Sequence, residues 1–215
     1  MPAVYMYVVD RDFGFAPNPF HGYCTLATCK PGIRSTAQLG DWVIGMGGKR
    51  LNATGRCVFA MQVVKKIDFQ EYWTNPDYVT KRPVRNGSSV RLLGDNIYHR
   101  DRETSAWRQA DSHHSKTDGT PNPINVQNDT KSDKVLISKQ FFYFGREAPV
   151  VPADLLSATG FKNRQGHRRF SDEPSKKLID WICTNFSSSL NQVTADPFDF
   201  EQSDKRYSGE DNKIV

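Results

Sequence analysis

The sequence DSHHS at residues 111–115 places a carboxylate, two imidazoles and two hydroxyls side by side. A histidine oriented by a carboxylate can act as a general base, and a nearby hydroxyl can act as a nucleophile. Asp111 with one of the two histidines is therefore a candidate acid-base pair. On a strand, His113 and His114 would point to opposite faces and could not serve one site together. Surface or structural histidines explain this stretch equally well.

A second candidate group is an aromatic and cationic loop near the amino terminus. Residues 13–22, FGFAPNPFHG, contain two prolines and two glycines among three phenylalanines, which predicts an ordered irregular loop. With its neighbours this loop offers guanidinium groups for phosphate, aromatic faces for stacking and an amide for reading a base edge. The predicted ligand-binding residues here are Arg11, Phe13, Phe15, Asn18, Lys30 and Arg34. The alternative is that the phenylalanines fill the core beneath the loop.

A basic cluster precedes the last apolar segment and is interrupted by glycines. Such a cluster is a candidate contact surface for a phosphate backbone, although a solvated charged face explains it as well. The predicted backbone contacts are Arg146, Lys162, Arg164, Arg168 and Arg169.

Several classes of site are disfavoured by their missing motifs. The chain has neither G-x-x-x-x-G-K-[ST] nor G-x-G-x-x-G, which argues against a Walker ATPase and a Rossmann enzyme. Cys24 and Cys29 form a C-x4-C pair without a second pair, so the four cysteines are interpreted as reduced thiols. A metal site would need distant ligands such as Asp95, His99, Asp129 or Asp133. We therefore predict neither a metal nor a cofactor.

Composition and charge favour a soluble protein with an anionic partner. No run of about 18 apolar residues and no signal-peptide pattern is present, which predicts a cytoplasmic protein without a membrane span. The formal charge is +5, and residues 194–215 hold six acids against three bases, so the remainder carries +8. A body of that charge attracts nucleotides or nucleic acid. Solubility alone would also explain the positive charge.

The apolar pattern predicts which elements hold these groups. Strands are expected in AVYMYVV (3–9), YCTLAT (23–28), DWVIGMGG (41–48), CVFAMQVVKKI (57–67), KVLIS (134–138) and FFYFG (141–145). Short helices are expected at 33–39 and 68–73, the latter capped by Asp68, and a packed terminal helix at 174–190. Residues 1–194 are therefore assigned to one domain and 195–215 to a flexible acidic tail.

Several separated motifs resemble the second family of nucleotide modification associated domains, found in phages and bacteria. They are RDFGFAPNPFHGYCTLATCKPGIR (11–34), GDWVIGMGG (40–48), GDNIYHR (94–100), WRQADSHHS (107–115), NDTKSDKVLIS (128–138) and FFYFGREAP (141–149). The resemblance covers residues 3–185 and implies a context of modified bases more than a reaction. The family's imidazole at the second position of the histidine pair selects His114 as the partner of Asp111.

A weaker resemblance is to PUA-like domains such as EVE, ASCH and YTH. There a Gly-Asp pair before a strand, like Gly40-Asp41 before Trp42, closes a small base-binding β-barrel. This resemblance adds Trp42 to the predicted ligand-binding residues. The expected fold class is α+β, with a mixed or antiparallel, barrel-like core and a packed carboxy-terminal helix.

Three functions remain as hypotheses. The leading one is a binding module that recognises a modified base in a phage or bacterial DNA-modification or defence context, with DNA favoured over RNA. The alternative is a transferase or hydrolase that acts on a nucleotide or nucleobase through Asp111 and His114. The third is an interaction subunit that meets a protein partner. A cleft between residues 11–34 and 107–115 is required by the first hypothesis.

Overall fold

The computed structural model describes residues 2–215, which form strands and short helices in alternation. The strands are β1 (Val4–Val9), β2 (Cys24–Leu26), β3 (Trp42–Gly47), β4 (Cys57–Gln62), β5 (Lys65–Asp68), β6 (Tyr98–Arg100), β7 (Trp107–Gln109), β8 (Lys134–Ser138), β9 (Phe141–Tyr143), β10 (His167–Phe170), β11 (Tyr207–Ser208) and β12 (Lys213–Ile214). The helices are α1 (Pro31–Thr36), α2 (Phe69–Thr74), α3 (Ser89–Leu92), α4 (Pro123–Asp129), α5 (Ala153–Ala158) and α6 (Glu173–Asn185). The predicted mixture of helices and strands in a single domain is confirmed.

The central sheet has the strand order β10-β1-β3-β4-β9. β1 lies parallel to β3 and antiparallel to β10, and β4 is antiparallel to both of its neighbours, β3 and β9. The apolar runs of β1, β3 and β4 are buried almost throughout, as expected for strands covered on both faces. α6 packs on this core through Leu178 and Ile182, and Asp172 caps it by accepting the Ser175 amide at 3.0 Å.

One long antiparallel ladder continues from the central sheet into a second sheet of order β2-β8-β5. The pairs Met61↔Phe141 and Lys65↔Ile137 keep a single register across the junction of β4 with β5. β8 and β9, the two strands expected in KVLIS and FFYFG, therefore act as one bent strand. The strands of residues 2–215 form open sheets without a closed barrel, so the expected PUA-like barrel is not found.

Residues 195–215 lie against the body rather than forming the predicted flexible tail. Asp199 is buried, accepts the Asp12 amide at 2.9 Å and pairs with Arg50 at 3.0 Å. The Tyr207 amide donates to the His113 carbonyl at 2.8 Å. The acidic composition is typical of disorder, but here Asp199 and Glu201 pair with Arg50 and Arg146 of the body. Within residues 2–215, no helix combines the length and apolarity needed to cross a membrane.

Candidate functional site

A cleft of about 200 Å³ opens where β1 ends and the chain turns into the amino-terminal loop. Residues 7–16 form one side, Cys29 and Lys30 form the floor, and the histidine pair at 113–114 lies opposite. Tyr207 and Ile214 of the carboxy-terminal hairpin complete the wall. The cleft thus lies between the two segments that the sequence analysis selected.

Cys29, His114 and Asp129 form a relay at this cleft. The Cys29 Sγ lies 3.8 Å from the Nε2 of His114. The Nδ1 of the same ring lies 2.7 Å from Oδ2 of Asp129. A thiol, an imidazole and a carboxylate in this order are the arrangement that activates a cysteine nucleophile.

Cys29 is held in an unusual backbone conformation between β2 and α1. Its φ is +55° and that of Lys30 is +38°, both in the left-handed region that costs free energy for residues other than glycine. Its amide donates to Oδ1 of Asp129 at 2.7 Å. Pro31 then begins α1 with its fixed φ. The fold therefore fixes the cysteine at a sharp strand-to-helix turn.

His114 is held by a turn rather than by a strand. The Ser112 amide donates to the Ser115 hydroxyl at 3.0 Å, and that hydroxyl donates to the Ala110 carbonyl at 3.0 Å. Because residues 111–115 turn, both imidazoles line the cleft, with ring centroids 5.9 Å apart. The strand conformation in which His113 and His114 would face opposite sides is therefore not adopted.

Asp129 is the best-supported group of the relay. It ends α4, which Asn122 caps, and its side chain is buried. The Tyr98 hydroxyl donates to its Oδ2 at 2.8 Å, and Gln109 in turn donates to that hydroxyl at 2.9 Å. The carboxylate is thus fixed from two sides before it meets the imidazole ring.

Electrostatics distinguish the two histidines. Burial lowers the pKa of His114, but the charges of Asp129 and Cys29 outweigh it and raise this pKa to about 10. Burial raises the pKa of Asp129, but the neighbouring His114 lowers it further, so this pKa lies below its ordinary value. Burial and the neighbouring His114 lower the pKa of His113 to about 3, so this ring is neutral. At pH 7 the cleft therefore contains one imidazolium and one neutral imidazole.

The remaining walls combine aromatic and cationic groups. Phe15 contacts both imidazoles, with ring centroids 5.1 Å from His113 and 4.7 Å from His114. Lys30 Nζ lies 4.4 Å from the Tyr7 ring centroid, inside the cleft. Arg11 lies at the mouth and donates to the Asn212 carbonyl at 2.8 Å. The predicted ligand-binding residues Arg11, Phe13, Phe15 and Lys30 all line this cleft.

Other predicted site residues lie elsewhere. Arg34 is fully buried, and its guanidinium donates to backbone carbonyls, including those of Ser132 and Lys134 at 2.7 Å, so it cannot reach a ligand. Asn18 is buried and accepts a hydrogen bond from the Lys81 ammonium at 2.7 Å. Trp42 is buried in β3 beside Val4 and does not line the cleft.

Asp111 does not occupy its predicted place beside His114. Its carboxylate is half-exposed and pairs with Arg206. Asp129 orients the imidazole instead. Asp111 precedes His114 in the chain and Asp129 follows it. The packing of α4 brings Asp129, rather than Asp111, to the imidazole ring.

The predicted backbone-contact residues separate into two groups. Arg146 is paired with Glu201 at 2.9 Å and donates to the Pro197 carbonyl. Lys162, Arg164 and Arg169 are exposed, and Arg168 is half-exposed. The loop that carries Lys162 and Arg164 runs beside the end of β1, since Tyr7 pairs with His167 and Asn163 donates to the Gly47 carbonyl at 2.9 Å. This basic edge therefore flanks the cleft.

Two groups of the relay were not selected as catalytic residues from the sequence. Cys29 was interpreted as an ordinary reduced thiol, and Asp129 was considered only as a distant metal ligand. A signal existed, because a cysteine that precedes Lys-Pro-Gly at a strand-to-helix turn, with histidine and aspartate downstream, is a candidate nucleophile.

The relay residues also satisfy the proximity expected of a metal site, since one ligand atom from each lies within 4.8 Å of the others. The two ring nitrogens of His114 nevertheless face different groups, Nε2 toward Cys29 and Nδ1 toward Asp129. An ion between sulfur and Nε2 would leave the carboxylate on the opposite side of the ring. The side chains as placed therefore suit proton transfer along the relay.

The open α+β fold and the thiol-imidazole-carboxylate relay define a protein with the parts of a cysteine-dependent site. Residues 1–204 match the model of the family described as nucleotide modification associated domain 2. The chain belongs to this family, which places it in a context of nucleotide modification. No curated protein and no solved structure matches it.

Proposed function

We propose that this protein is a thiol-dependent transferase or hydrolase that acts on an acyl group carried by a nucleotide or nucleobase. The relay of Cys29, His114 and Asp129 is the observation that carries the proposal. The nucleotide part of the substrate is supported by the family membership and by the aromatic and cationic walls of the cleft.

The relay can carry out a balanced acyl transfer. Because the His114 imidazolium already carries a proton on Nε2 at pH 7, Cys29 attacks as the thiolate of an ion pair. The sulfur adds to the carbonyl carbon, and the carbonyl electron pair moves to oxygen. Collapse of this intermediate breaks the bond to the leaving group, which departs with the Nε2 proton of His114. Water or an acceptor amine then attacks the thioester while the now neutral His114 takes its proton, and the thiolate and imidazolium are regenerated.

The cationic and aromatic groups have separate roles in this proposal. Lys30, beside the nucleophile, stabilises negative charge that develops on the carbonyl oxygen. Phe13 and Phe15 provide faces for a base, and Arg11 at the mouth meets phosphate. Lys162, Arg164, Arg168 and Arg169 contact a longer phosphate backbone if the substrate is a polymer.

A binding module for a modified base is the second candidate function. The walls of the cleft favour it, since aromatic faces and two cations would bind a nucleotide without any reaction. The two functions share the cleft and differ in whether Cys29 reacts.

Thiol alkylation separates these functions without knowledge of the substrate. Wild-type protein is treated with iodoacetamide, and labelling of each cysteine is followed by mass spectrometry. We expect Cys29 to react at least about tenfold faster than the half-buried Cys183, and His114→Gln to remove this advantage. Equal rates at the two cysteines, or a Cys29 rate unaffected by His114→Gln, would refute the enzyme.

Two further measurements complete the test. Acylated nucleotides and oligonucleotides are incubated with wild type and with Cys29→Ser, and the products are separated by mass. Turnover that is lost in Cys29→Ser supports the enzyme, whereas binding without turnover in either protein supports the module. A Cys29 thiol that becomes more reactive after treatment with a chelator would instead identify a metal ligand.

A further inference from the structure

A second cleft, of about 680 Å³, lies between the end of α2 and the β6–β7 hairpin. Its volume falls in the range of roughly 300–1,000 Å³ that is typical of ligand sites. It is distinct from the relay, because side chains alternate along β6: Tyr98 points to Asp129, whereas His99 lines the second cleft. We call this second cleft the arginine groove after Arg82, Arg100 and Arg102, which line it.

Planar side chains form the floor of the arginine groove. The rings of Trp73 and His99 are stacked, with centroids 4.2 Å apart and an interplanar angle of 16°. The Arg82 guanidinium lies 4.1 Å from the Trp73 ring centroid. Trp73 is therefore covered by His99 on one face and by Arg82 on the other. Beside this stack, the Arg100 guanidinium lies 3.9 Å from the centroid of Trp107. The outer face of His99 is the flat surface that the stack offers next to fixed positive charge.

The positive charge of the groove is only partly neutralised. Two acids line the groove: Asp101 accepts hydrogen bonds from Arg108 at 2.8 Å and 3.0 Å, and Glu103 is exposed. Arg82 donates through Nη2 to the Trp73 carbonyl, and Arg100 donates through Nη1 to the Ser105 carbonyl. Arg102 is exposed. Arg100 and Arg102 therefore keep guanidinium donors for a ligand.

We infer that the arginine groove binds a single strand of nucleic acid, with a base stacked on the outer face of His99, which Trp73 supports from behind, and with Arg100 and Arg102 on the flanking phosphates. Both parts of the groove favour this ligand. Stacking surfaces accept any base, and guanidinium forks match phosphate oxygens. A paired base in a duplex has no free face for stacking, so the groove selects unpaired strands. This inference concerns a site separate from the relay and does not depend on the proposed reaction.

The test is binding of fluorescein-labelled 12-mers of DNA and RNA, single-stranded and duplex, measured by anisotropy at two salt concentrations. We expect Arg100→Ala/Arg102→Ala to weaken single-strand binding at least about tenfold and to reduce the magnitude of the salt slope by about 1.4, at about 0.7 for each phosphate contact on a single strand. Trp73→Leu, which keeps an apolar side chain, should weaken it at least about fivefold with little change in slope. The DNA and RNA arms identify which strand is preferred.

The matched control is Lys176→Ala/Lys177→Ala, which removes two exposed cations from α6. We expect this variant to stay within about twofold of wild type for the short single strand. Loss of binding in the control but not in the groove variants, unchanged affinity in Arg100→Ala/Arg102→Ala, or tighter binding of duplex than of single strand would overturn the inference. Thermal unfolding verifies that each variant is folded, and unchanged Cys29 alkylation separates this result from the relay.

Discussion

Replacement of Asp129 by asparagine tests the relay with almost no change in shape. The carboxylate accepts the Cys29 amide on Oδ1 at 2.7 Å, and the Tyr98 hydroxyl and His114 Nδ1 on Oδ2 at 2.8 Å and 2.7 Å. An amide has a single oxygen. In either orientation of the asparagine amide, at least one of these donors meets an NH₂ group.

The magnitude follows from burial and charge. Both side chains of the His114–Asp129 pair are about 5% exposed or less. Breaking a buried ion pair by removing one partner costs about 3–5 kcal/mol. We expect Asp129→Asn to lower the free energy of unfolding by this amount at pH 7, measured by urea denaturation. His114 without its counter-ion should also lose its raised pKa, and Cys29 alkylation should slow.

Asp111→Asn is the matched control, because it removes the acid that the sequence placed beside the histidine. Asp111 pairs with Arg206 and its side chain is 43% exposed, so the expected loss is below about 1 kcal/mol. A larger effect of Asp111→Asn than of Asp129→Asn on either stability or alkylation would refute the assignment of the orienting carboxylate.

Two further predictions concern the walls of the cleft and the sheet beneath it. His113 has a pKa of about 3 in the folded protein against an ordinary 6.5, so the unfolded chain binds the extra proton and stability is lost as pH falls from 6.5 toward 3. We expect His113→Gln to reduce this loss of stability, as measured by urea denaturation at pH 7 and pH 4.5. An identical loss in the variant would contradict the prediction. Gly45→Ala would place Cβ 2.1 Å from the Phe59 ring, so we expect urea denaturation to show about 1–3 kcal/mol of destabilisation. The double variant Gly45→Ala/Phe59→Leu should recover part of this loss. A single variant as stable as the wild type would show that this contact is not tight.

Local signals predicted much of the fold. The buried strands β1 and β4 follow from runs of β-branched and aromatic residues. α2 begins where the capping residue Asp68 predicted it, with the Glu71 amide donating to the Asp68 carboxylate at 2.7 Å. Both signals reside in neighbouring residues, which is why they can be interpreted without the fold.

The assembly of the relay could not be predicted in this way. The amide of Cys29 meets Asp129 across 100 positions of the chain, and no periodicity encodes that contact. The glycines of β3 show the same limit. Gly45 is covered by Phe59 and Gly47 by Ala53, contacts that the sequence of β3 does not reveal. Contacts between distant segments depend on packing that composition does not describe.

The carboxy-terminal hairpin and the rest of the chain contribute different walls of the cleft. The part of the chain shared with the family ends at residue 204 and contains Cys29, His114 and Asp129. Tyr207 and Ile214, which close the opposite wall, lie beyond it. Because the Tyr207 amide donates to the His113 carbonyl and Arg206 donates to the Ser112 carbonyl at 2.9 Å, exchange of residues 205–215 would alter both this wall and the turn that holds the histidines, with Cys29 and Asp129 left in place.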